Sequence, residues 1–367
     1  MSDPAIDARL VGLTLELAAK GEGQTHPNPM VGAVVARGGE IAGTGFHVRA
    51  GLEHAESIAL TAAGDAASGA TLYTNLEPCS HQGRTPPCVE QIIRAGVRRV
   101  VCGVRDPNPL VNGRGFQALR AAGIEVVSDV LAEECARLNR AFFRHVTTGR
   151  PWVTVKAACS LDGRIAAAGR GGEGITGPES RAEAMRLRAR HDAVLVGVGT
   201  VLLDDPRLTV RAPAEPRPIL RAVVDSALRT PPASQLARLA AEAPLVIYHT
   251  ERAEARLRKA LESTGAQCVA AGTGPSVSLD AALADLGRRD VMSLLVEGGG
   301  ALIGSFLRES RADELHLFVA PIVLGDRGVP LAGGWSAARA ADALRVGGLS
   351  VRRFGGDLHL SGTFGEA

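Results

Sequence analysis

Little in this sequence is aromatic. Phe, Tyr and Trp together make up 3% of 367 residues, so a core has to be assembled from Ala, Val, Leu and Ile. Lysine is scarcer still: Lys20, Lys156 and Lys259 are the only ones, the other cations are arginines interleaved with Asp and Glu, and the formal net charge is +2. A nucleic-acid-binding stripe needs clustered positive charge, and the arginine-rich runs at 181–190 and 252–259 read instead as solvated helix faces. No run of 18 uninterrupted apolar residues occurs, so no membrane span is expected. Met1-Ser2-Asp3-Pro4 lacks a basic stretch followed by an apolar one, and no secretory signal is read there. The six cysteines, Cys79, Cys88, Cys102, Cys135, Cys159 and Cys268, show no repeating disulfide framework. These absences point to a reducing cytoplasm, where paired cysteines serve metals or catalysis more than disulfides. At this length two domains are expected.

What the sequence does carry is a ligand set. His54-Ala55-Glu56 is followed by Glu77-Pro78-Cys79 and then Pro86-Pro87-Cys88. One histidine and two cysteines leave a fourth metal position open for water, the ligand count of a catalytic zinc site. Glu56 is placed to carry protons, and the His-x-Glu…Pro-Cys…Cys order resembles the zinc deaminases that act on nucleobases. Eight residues separate Cys79 from Cys88, a wider gap than the general pattern of those enzymes. A closed zinc knuckle, with His81 or His47 as fourth ligand, is the alternative, but it gives Glu56 no role. Cys102 in an apolar strand and Cys135 on a helix face read as core residues.

Apolar periodicity places these residues. Helices are expected over 6–19, from Ala55 to near Gly64, from Pro86 to Gly96, over 115–122 and over 131–145, with strands over 30–36, 40–44, 70–75, 97–104 and 124–128. The alternation argues an α/β domain with a largely parallel sheet. On a helix, His54 and Glu56 lie about 200° apart, so both address one metal only if it sits end-on at the first turn. There the free N–H groups and the dipole favour anionic ligands. Cys88 also falls in a first turn, where a thiolate is favoured. Such a site performs hydrolytic deamination of an aminopyrimidine or purine, with Glu56 moving the proton from water to the ring nitrogen and the departing ammonia. Two polar loops, 80–85 with Arg84 and Asp106-Pro107-Asn108-Pro109 at a strand's carboxyl end, suit a substrate with a phosphate.

The second half again alternates. Strands are expected over 152–157, 193–197, 221–225, 245–249, 267–270, 293–296 and 315–320, helices over 181–191 and 234–241, and a hairpin over 345–353 and 357–362. Gly169-Arg170-Gly171-Gly172-Glu173-Gly174 matches G-x-G-x-x-G, but Ile175-Thr176-Gly177-Pro178 follows it instead of a helix, so the dinucleotide fingerprint fails its context. Residues 297–305 fit better: they follow an apolar strand and open an apolar helix, whose N-terminus binds phosphate. A plain tight strand–helix turn is the other reading.

Taken together, His26-Pro27-Asn28-Pro29-Met30-Val31-Gly32, His54-Ala55-Glu56, residues 77–88, Lys156-Ala157-Ala158-Cys159-Ser160-Leu161-Asp162-Gly163, residues 197–206 and Val296-Glu297-Gly298-Gly299 resemble the bifunctional riboflavin-biosynthesis deaminase/reductase family. The likeness runs in order through essentially the whole chain, and the eight-residue cysteine gap is that family's own. It implies an α/β protein of two domains: a cytidine-deaminase-like three-layer α/β/α domain over 1–148 and a dihydrofolate-reductase-like α/β domain over 149–367, joined at Gly149-Arg150-Pro151. It implies one Zn2+ on His54, Cys79 and Cys88, with Glu56 catalytic. Asn28, His47, His81, Arg84 and Asn108 would meet the pyrimidine substrate.

In the second domain the resemblance implies NADPH, held by Ala158, Gly174, Thr200, Asp204, Ser226 and the run Gly299, Gly300, Ala301, Leu302, Ile303, Gly304 and Ser305. Gly172, Arg188, Leu208, Arg211, Glu297 and Lys156 would hold the ribose-phosphate substrate, although a lysine at a strand end is more often solvated. The reactions implied are deamination of 2,5-diamino-6-ribosylamino-4(3H)-pyrimidinone 5′-phosphate, then reduction of the ribosyl side chain. The partners implied are phosphoribosyl-pyrimidine small molecules and a second copy of the chain, with no nucleic acid and no membrane. Family members carry serine and tryptophan where Gly172 and Gly174 stand here. Glycine offers the cofactor no packing surface, so a deaminase with an impaired reductase half is one alternative, and a zinc-containing nucleic-acid-binding module is another.

Overall fold

A computed structural model describes residues 3–80, 86–168, 174–211 and 218–365. The chain divides into two compact units, Met1–Gly149 and Arg150–Ala367.

In the first unit α1 (Pro4–Ala19) begins where the Asp3 carboxylate accepts the Ala5 N–H at 2.9 Å and Pro4 takes the first helical position, both favourable start signals. β1 (Gly32–Arg37) and β2 (Glu40–Phe46) form a hairpin over Gly38 and Gly39, both at positive φ. Then come α2 (Ala55–Ala63), β3 (Thr71–Leu76), α3 (Cys88–Arg94), β4 (Arg99–Val104), α4 (Arg114–Ala121), β5 (Glu125–Val127), α5 (Ala132–Leu138) and α6 (Arg140–Thr148). The sheet order is β2-β1-β3-β4-β5. β3, β4 and β5 run parallel, but β1 is antiparallel to both its neighbours. The sheet is therefore mixed and not largely parallel, because the opening hairpin delivers β1 against the direction of β3.

Strand alternation sorts the side chains into two layers. Ala33, Val35, Leu72 and Val100 pack with Ala55, Ala59, Val89, Ile92 and Leu119, while Val34, Tyr73 and Val101 pack with Leu10, Val11 and Cys135. The result is helix, sheet, helix. Cys102 and Cys135 are both buried in it. Across the α1 side, Arg99 forks onto the buried Asp7 carboxylate at 2.9 and 2.8 Å, a bidentate pair that ties α1 to β4.

The helix expected over 131–145 is two helices. Asn139 breaks it at φ −102°, ψ 19°, and its buried side chain accepts the Met30 N–H at 2.8 Å and donates to the Met30 carbonyl at 2.9 Å. A tertiary contact overrides an unbroken helical pattern. On the other face, α2 lies directly on β2. A Cβ at Gly43 would overlap the Ala59 carbonyl, and one at Gly45 would overlap the Ala55 carbonyl. These two glycines set how close the first turn of α2 can come to the sheet.

The second unit contains β6 (Trp152–Ser160), β7 (Arg164–Ala166), α7 (Pro178–Ala189), β8 (Ala193–Gly197), α8 (Val198–Asp204), β9 (Leu220–Val224) and α9 (Gln235–Arg238). β10 (Leu245–His249), α10 (Ala255–Glu262), β11 (Gln267–Ala270), α11 (Leu279–Arg288), β12 (Ser293–Val296) and α12 (Gly300–Arg308) follow, then β13 (Glu314–Ala320), β14 (Val329–Pro330), β15 (Val346–Phe354) and β16 (Asp357–Phe364). The large sheet has the order β11-β10-β9-β8-β12-β6-β13-β16-β15. It is parallel from β11 through β13, and the β15–β16 hairpin adds the antiparallel edge.

Several sequence expectations change here. β6 runs on to Ser160 because β13 pairs with it from Glu314 against Thr154 to Ala320 against Ser160, so Lys156 sits mid-strand and not at a strand end. The helix expected over 234–241 is a single turn, α9. Beyond it the fully buried Arg221 guanidinium takes the carbonyls of Leu236, Leu239 and Ala243. α8 and α11 had no counterpart in the periodicity reading. Among the described residues no helix is long and apolar enough to cross a membrane.

Gly45→Ala forces α2 off β2 and should destabilise the first unit by about 1–3 kcal/mol in denaturant unfolding. Gly12→Ala, on α1 with only Leu131 at 3.9 Å from the added carbon, should be neutral or stabilising by about 0.5–1 kcal/mol. Equal effects of the two substitutions would contradict the close-packing reading of β2.

Candidate active sites

In the first unit the carboxyl ends of the parallel strands meet two helix starts. His54 caps α2 in an extended conformation (φ −76°, ψ 157°), Glu56 lies in that helix's first turn, and Cys88 is the first residue of α3. Cys79 follows three residues after β3 ends. His54 Nδ1 is 3.1 Å from Cys88 Sγ and 3.6 Å from Cys79 Sγ, and the Cys88 backbone N–H donates to Cys79 Sγ at 3.3 Å. The three ligand atoms lie within 4.8 Å of one another, and this is the one such group among the described residues. Two sulfurs and one imidazole nitrogen in that spacing fit zinc, and His54 sits end-on to α2, as the first-turn argument requires.

The electrostatics suit the same metal. Hydrogen bonds from Cys88 and, against burial, from His54 pull the Cys79 thiol down to about 4, so a thiolate is available as a ligand. Glu56 is buried, and burial first and the Cys79 sulfur next push its carboxyl up. A carboxyl raised in this way can hold and release a proton. His47 stands edge-on to His54 with ring centroids 5.5 Å apart. Its Nδ1 is 3.0 Å from the Glu53 carbonyl and its Nε2 is 3.0 Å from Asn28 Nδ2. A carbonyl only accepts, so Nδ1 carries the hydrogen and Nε2 accepts from Asn28; burial lowers the ring's pKa, which favours this neutral form. His47 is thus a partner of Asn28 and not the fourth ligand of a closed knuckle. Asn28 is held in turn because its neighbour Met30 is gripped by Asn75 and Asn139.

In the second unit Glu297 follows β12 and receives both arms of Arg188 from α7 at 2.8 and 2.9 Å, with Lys156 Nζ at 3.7 Å. Burial opposes ionisation, but Lys156 and Arg188 hold the Glu297 carboxyl down at about 2. Arg188 also donates to the Thr209 carbonyl at 3.0 Å. A cavity of about 530 Å³ opens beside this pair, with Arg188, Arg207, Leu208, Arg211 and Gln235 in its wall. The wall turns through Asp205 (φ 39°) and Leu208 (φ 55°), conformations disfavoured for residues with side chains. Gln235 holds the turn, donating to Asp205 through its backbone and side-chain nitrogens at 2.7 Å each, and Arg221 pins the Arg207 carbonyl at 3.2 Å. Arginine forks in such a wall suit a phosphate.

Comparison with known proteins settles the family. Residues 151–360 match the RibD C-terminal domain, and residues 5–104 match the cytidine and deoxycytidylate deaminase zinc-binding region. The chain belongs to the RibD family. The riboflavin biosynthesis protein RibD of Aquifex aeolicus is 44% identical over 88% of this chain and 88% of its own length, and that of Escherichia coli K12 is 38% identical over 97% and 99%. Among solved structures, Acinetobacter baumannii RibD superposes with a TM-score of 0.90 at 34% identity, covering 99% of this chain and 100% of the other. The Thermotoga maritima diaminohydroxyphosphoribosylaminopyrimidine deaminase/5-amino-6-(5-phosphoribosylamino)uracil reductase superposes at 0.86 with 34% identity, covering 98% and 99%. The chain is accordingly a riboflavin-biosynthesis enzyme with a zinc-binding deaminase domain followed by a reductase domain that uses NADPH.

The remaining RibD positions fall unevenly. Gly299 caps α12, and a Cβ there would stand 3.7 Å from Thr200 Oγ1, so Thr200 and the glycine run meet at a helix N-terminus. Within that run Leu302 and Ile303 are core residues, and Gly300 and Gly304 are packed under residues 330–333, where a Cβ would overlap the Pro330 and Gly333 carbonyls. Side-chain contact with a cofactor therefore narrows to the exposed Ala301 and the half-buried Ser305, and backbone contact to the half-buried start at Gly298–Gly299. The Ser226 hydroxyl accepts the Val277 N–H at 3.2 Å. Ala158 is half-buried on β6, and Asp204 ends α8. Gly174 is exposed, with the Arg181 guanidinium 3.4 Å from where a Cβ would be. His81, Arg84 and Gly172 lie outside the described residues. Asn108 sits in the loop after β4, where its backbone N–H donates to Asp106 at 2.8 Å.

Sequence reasoning named Asp106 as part of a polar loop but gave it no role of its own. It is buried, and its carboxyl is raised to about 6, chiefly by burial; its place at a strand's carboxyl end beside Asn108 was the available signal. Also missed is a polar network on the reductase sheet. His359 stacks on Phe318 at 4.5 Å, accepts from Arg352 at 3.3 Å and donates to His316 at 3.0 Å, and His316 reaches Glu314 at 3.2 Å. Arg352 in turn reaches the buried Glu183 of α7 at 3.3 Å.

Burial first, then His316 and Arg352, push His359 from 6.5 down to about 4. Between those values the unfolded chain binds a proton that the folded one refuses. The stability this neutral ring contributes is complete above about pH 6.5 and is lost toward pH 4, with a slope of at most about 1.4 kcal/mol per pH unit. Denaturant unfolding at stepped pH should show that slope in the wild type and a shallower one in His359→Asn. Parallel profiles would contradict it.

Proposed function

We propose that residues 1–148 deaminate 2,5-diamino-6-ribosylamino-4(3H)-pyrimidinone 5′-phosphate, and that residues 149–367 reduce the ribosyl chain of the product to ribityl. The observation that carries this reading is the convergence of His54, Cys79 and Cys88 beside the buried Glu56, on a chain whose other half belongs to the same biosynthetic family. Zinc, when bound by these three side chains, supplies a water acidic enough to ionise near neutral pH. Glu56 takes a proton from water, holds it because burial favours its neutral form, and gives it to the ring nitrogen; it then takes the second proton from the added hydroxyl as the carbonyl forms and gives that one to the departing amine. Asn28 and His47 form a fixed hydrogen-bonded pair beside His54, suited to reading the polar edge of the pyrimidine, and Asn108, in the loop after β4, is given to the same substrate by family likeness. His81 and Arg84 are assigned to the same substrate by family likeness.

In the reductase half NADPH supplies the hydride. The backbone of the α12 start, with Thr200 beside it and with Ala301 and Ser305, holds the cofactor, and Asp204, Ala158, Ser226 and Gly174 are assigned to it by family likeness. Arg188, Leu208 and Arg211 shape the cavity for the ribose phosphate, and Gly172 is assigned to the same substrate by family likeness alone. Glu297 is held by Arg188 of the cavity wall and has Lys156 Nζ at 3.7 Å, and in this reading Lys156 is the group that donates a proton to the reduced sugar. A cytoplasmic enzyme acting as a homo-oligomer, without nucleic-acid contact, completes the reading, and sizing of the purified protein checks the assembly.

The experiment is Glu56→Gln. The variant should keep its zinc and reduce the deaminated pyrimidine with NADPH at the wild-type rate, while ammonia release falls by at least about 10³-fold, a loss at the scale of a general acid–base group. Wild-type ammonia release in that variant would remove Glu56 from the mechanism.

A further inference from the structure

Glu77, adjacent to the ligand segment but touching neither ligand nor reacting atoms in the reading above, has a geometry that nothing so far uses. Its backbone N–H continues the β3–β4 ladder onto the Val104 carbonyl at 3.0 Å. Its side chain is buried, 3% exposed, and is turned away from solvent into a ring of four backbone donors. One carboxylate oxygen accepts from Asp106 N at 3.2 Å and Gly113 N at 2.9 Å; the other accepts from Gly115 N at 2.9 Å and Phe116 N at 3.2 Å. The first pair are the two ends of the loop that carries Asn108. The second pair are free N–H groups in the first turn of α4, where a carboxylate is favoured by the dipole and by the missing helix partners.

Two glycines make room for this arrangement. Gly113 adopts φ +87°, and a Cβ at Gly115 would overlap the carbonyl of Pro78, the residue between Glu77 and Cys79. Inside the loop, Asp106 accepts from Asn108 N and Asn108 accepts from Leu110 N, so the turn is built upward from the two points that Glu77 holds.

We propose that Glu77 is a positioning residue for deamination: its carboxylate clasps both ends of the 106–113 loop to the strand that delivers Cys79, and so fixes Asn108, which the deaminase reading gives to the substrate. Among the described residues no other side-chain acceptor is hydrogen-bonded to both ends of the loop. Glutamine cannot replace it, because the amide keeps one accepting oxygen and turns a donor toward two N–H groups. The inference rests on the deaminase reading of the first unit, and its effect is on substrate placement, not on the metal or the proton carrier.

The test is Glu77→Gln in the full chain, with the reductase reaction on the same polypeptide as an internal control of folding. Zinc content and reduction of the deaminated pyrimidine should match the wild type. In ammonia release KM should rise by about tenfold or more while kcat stays within about threefold, the pattern of lost substrate binding. Unchanged KM, a fall confined to kcat, or loss of zinc would each overturn the proposal. Amide hydrogen exchange of the wild-type protein supplies a second reading that needs no variant: the N–H groups of residues 106, 113, 115 and 116 should exchange far more slowly than that of Leu110 in the same loop. Exchange of all five at one rate would also overturn it. A wild type that releases no ammonia at all would sink the deaminase reading, and the exchange measurement would still decide whether the clasp exists.

Discussion

The deaminase half depends on where α2 begins. A nine-residue helix has one first turn, and that turn has to bring His54 and Glu56 to the edge where β3 releases Cys79 and α3 starts at Cys88. Its distance from the sheet is set by backbone contact, through Gly43 and Gly45 of β2 against the Ala59 and Ala55 carbonyls. Packing of this kind tolerates no added carbon. Once α2 is seated, the free N–H groups at two helix starts face one point, which favours thiolates there. The metal site follows from the close approach of a helix and a strand that contribute none of the sulfurs.

The reductase half is organised by charge more than by close approach. Glu297, at the end of β12, lies between the Arg188 fork and Lys156, and the pull of the two cations on its carboxyl outweighs burial. The cavity wall beyond Arg188 is kept in left-handed turns by Gln235 and by Arg221, a fully buried guanidinium bonded to carbonyls alone. A buried charge without a counterion is costly unless its donors are satisfied. Here its terminal nitrogens meet four carbonyls and tie the loop of the cavity wall to α9 and to β9. The metal cluster is thus placed by close backbone packing, and the wall of the second unit's cavity by buried ionic and polar bonding.

Much of this was legible in the residues. The metal ligands were readable because their chemistry is local: a histidine, two cysteines and a carboxylate in a fixed order point to one reaction whatever surrounds them. The end-on placement of His54 was readable from helix geometry alone, and the α12 start from a strand, a glycine run and an apolar helix in sequence. What escaped depended on contacts distant in the chain. Nothing near Asn139 announces that its side chain will leave the helix to hold Met30, 109 residues away. Strand β6 reads as ending at Ala157 until β13 is set beside it, and that misreading put Lys156 at an exposed end. The glycines of α12 suggested room for a ligand, but Gly300 and Gly304 make room for residues 330–333 of the same chain. Glu77 stood inside a recognised motif, yet its four donors come from a segment some thirty residues on and are invisible in the motif itself.

The central claim is that one chain joins a zinc-dependent deamination to an NADPH-dependent reduction through separate sites. The most direct measurement follows ammonia release and NADPH oxidation together, in purified protein given the diaminopyrimidine phosphate, before and after removal of zinc by a chelator. Both signals should be present with zinc; after its removal ammonia release should stop, while NADPH oxidation continues if the deaminated pyrimidine is supplied directly. Ammonia release that survives loss of the metal, or reduction that fails whenever zinc is absent, would contradict the claim.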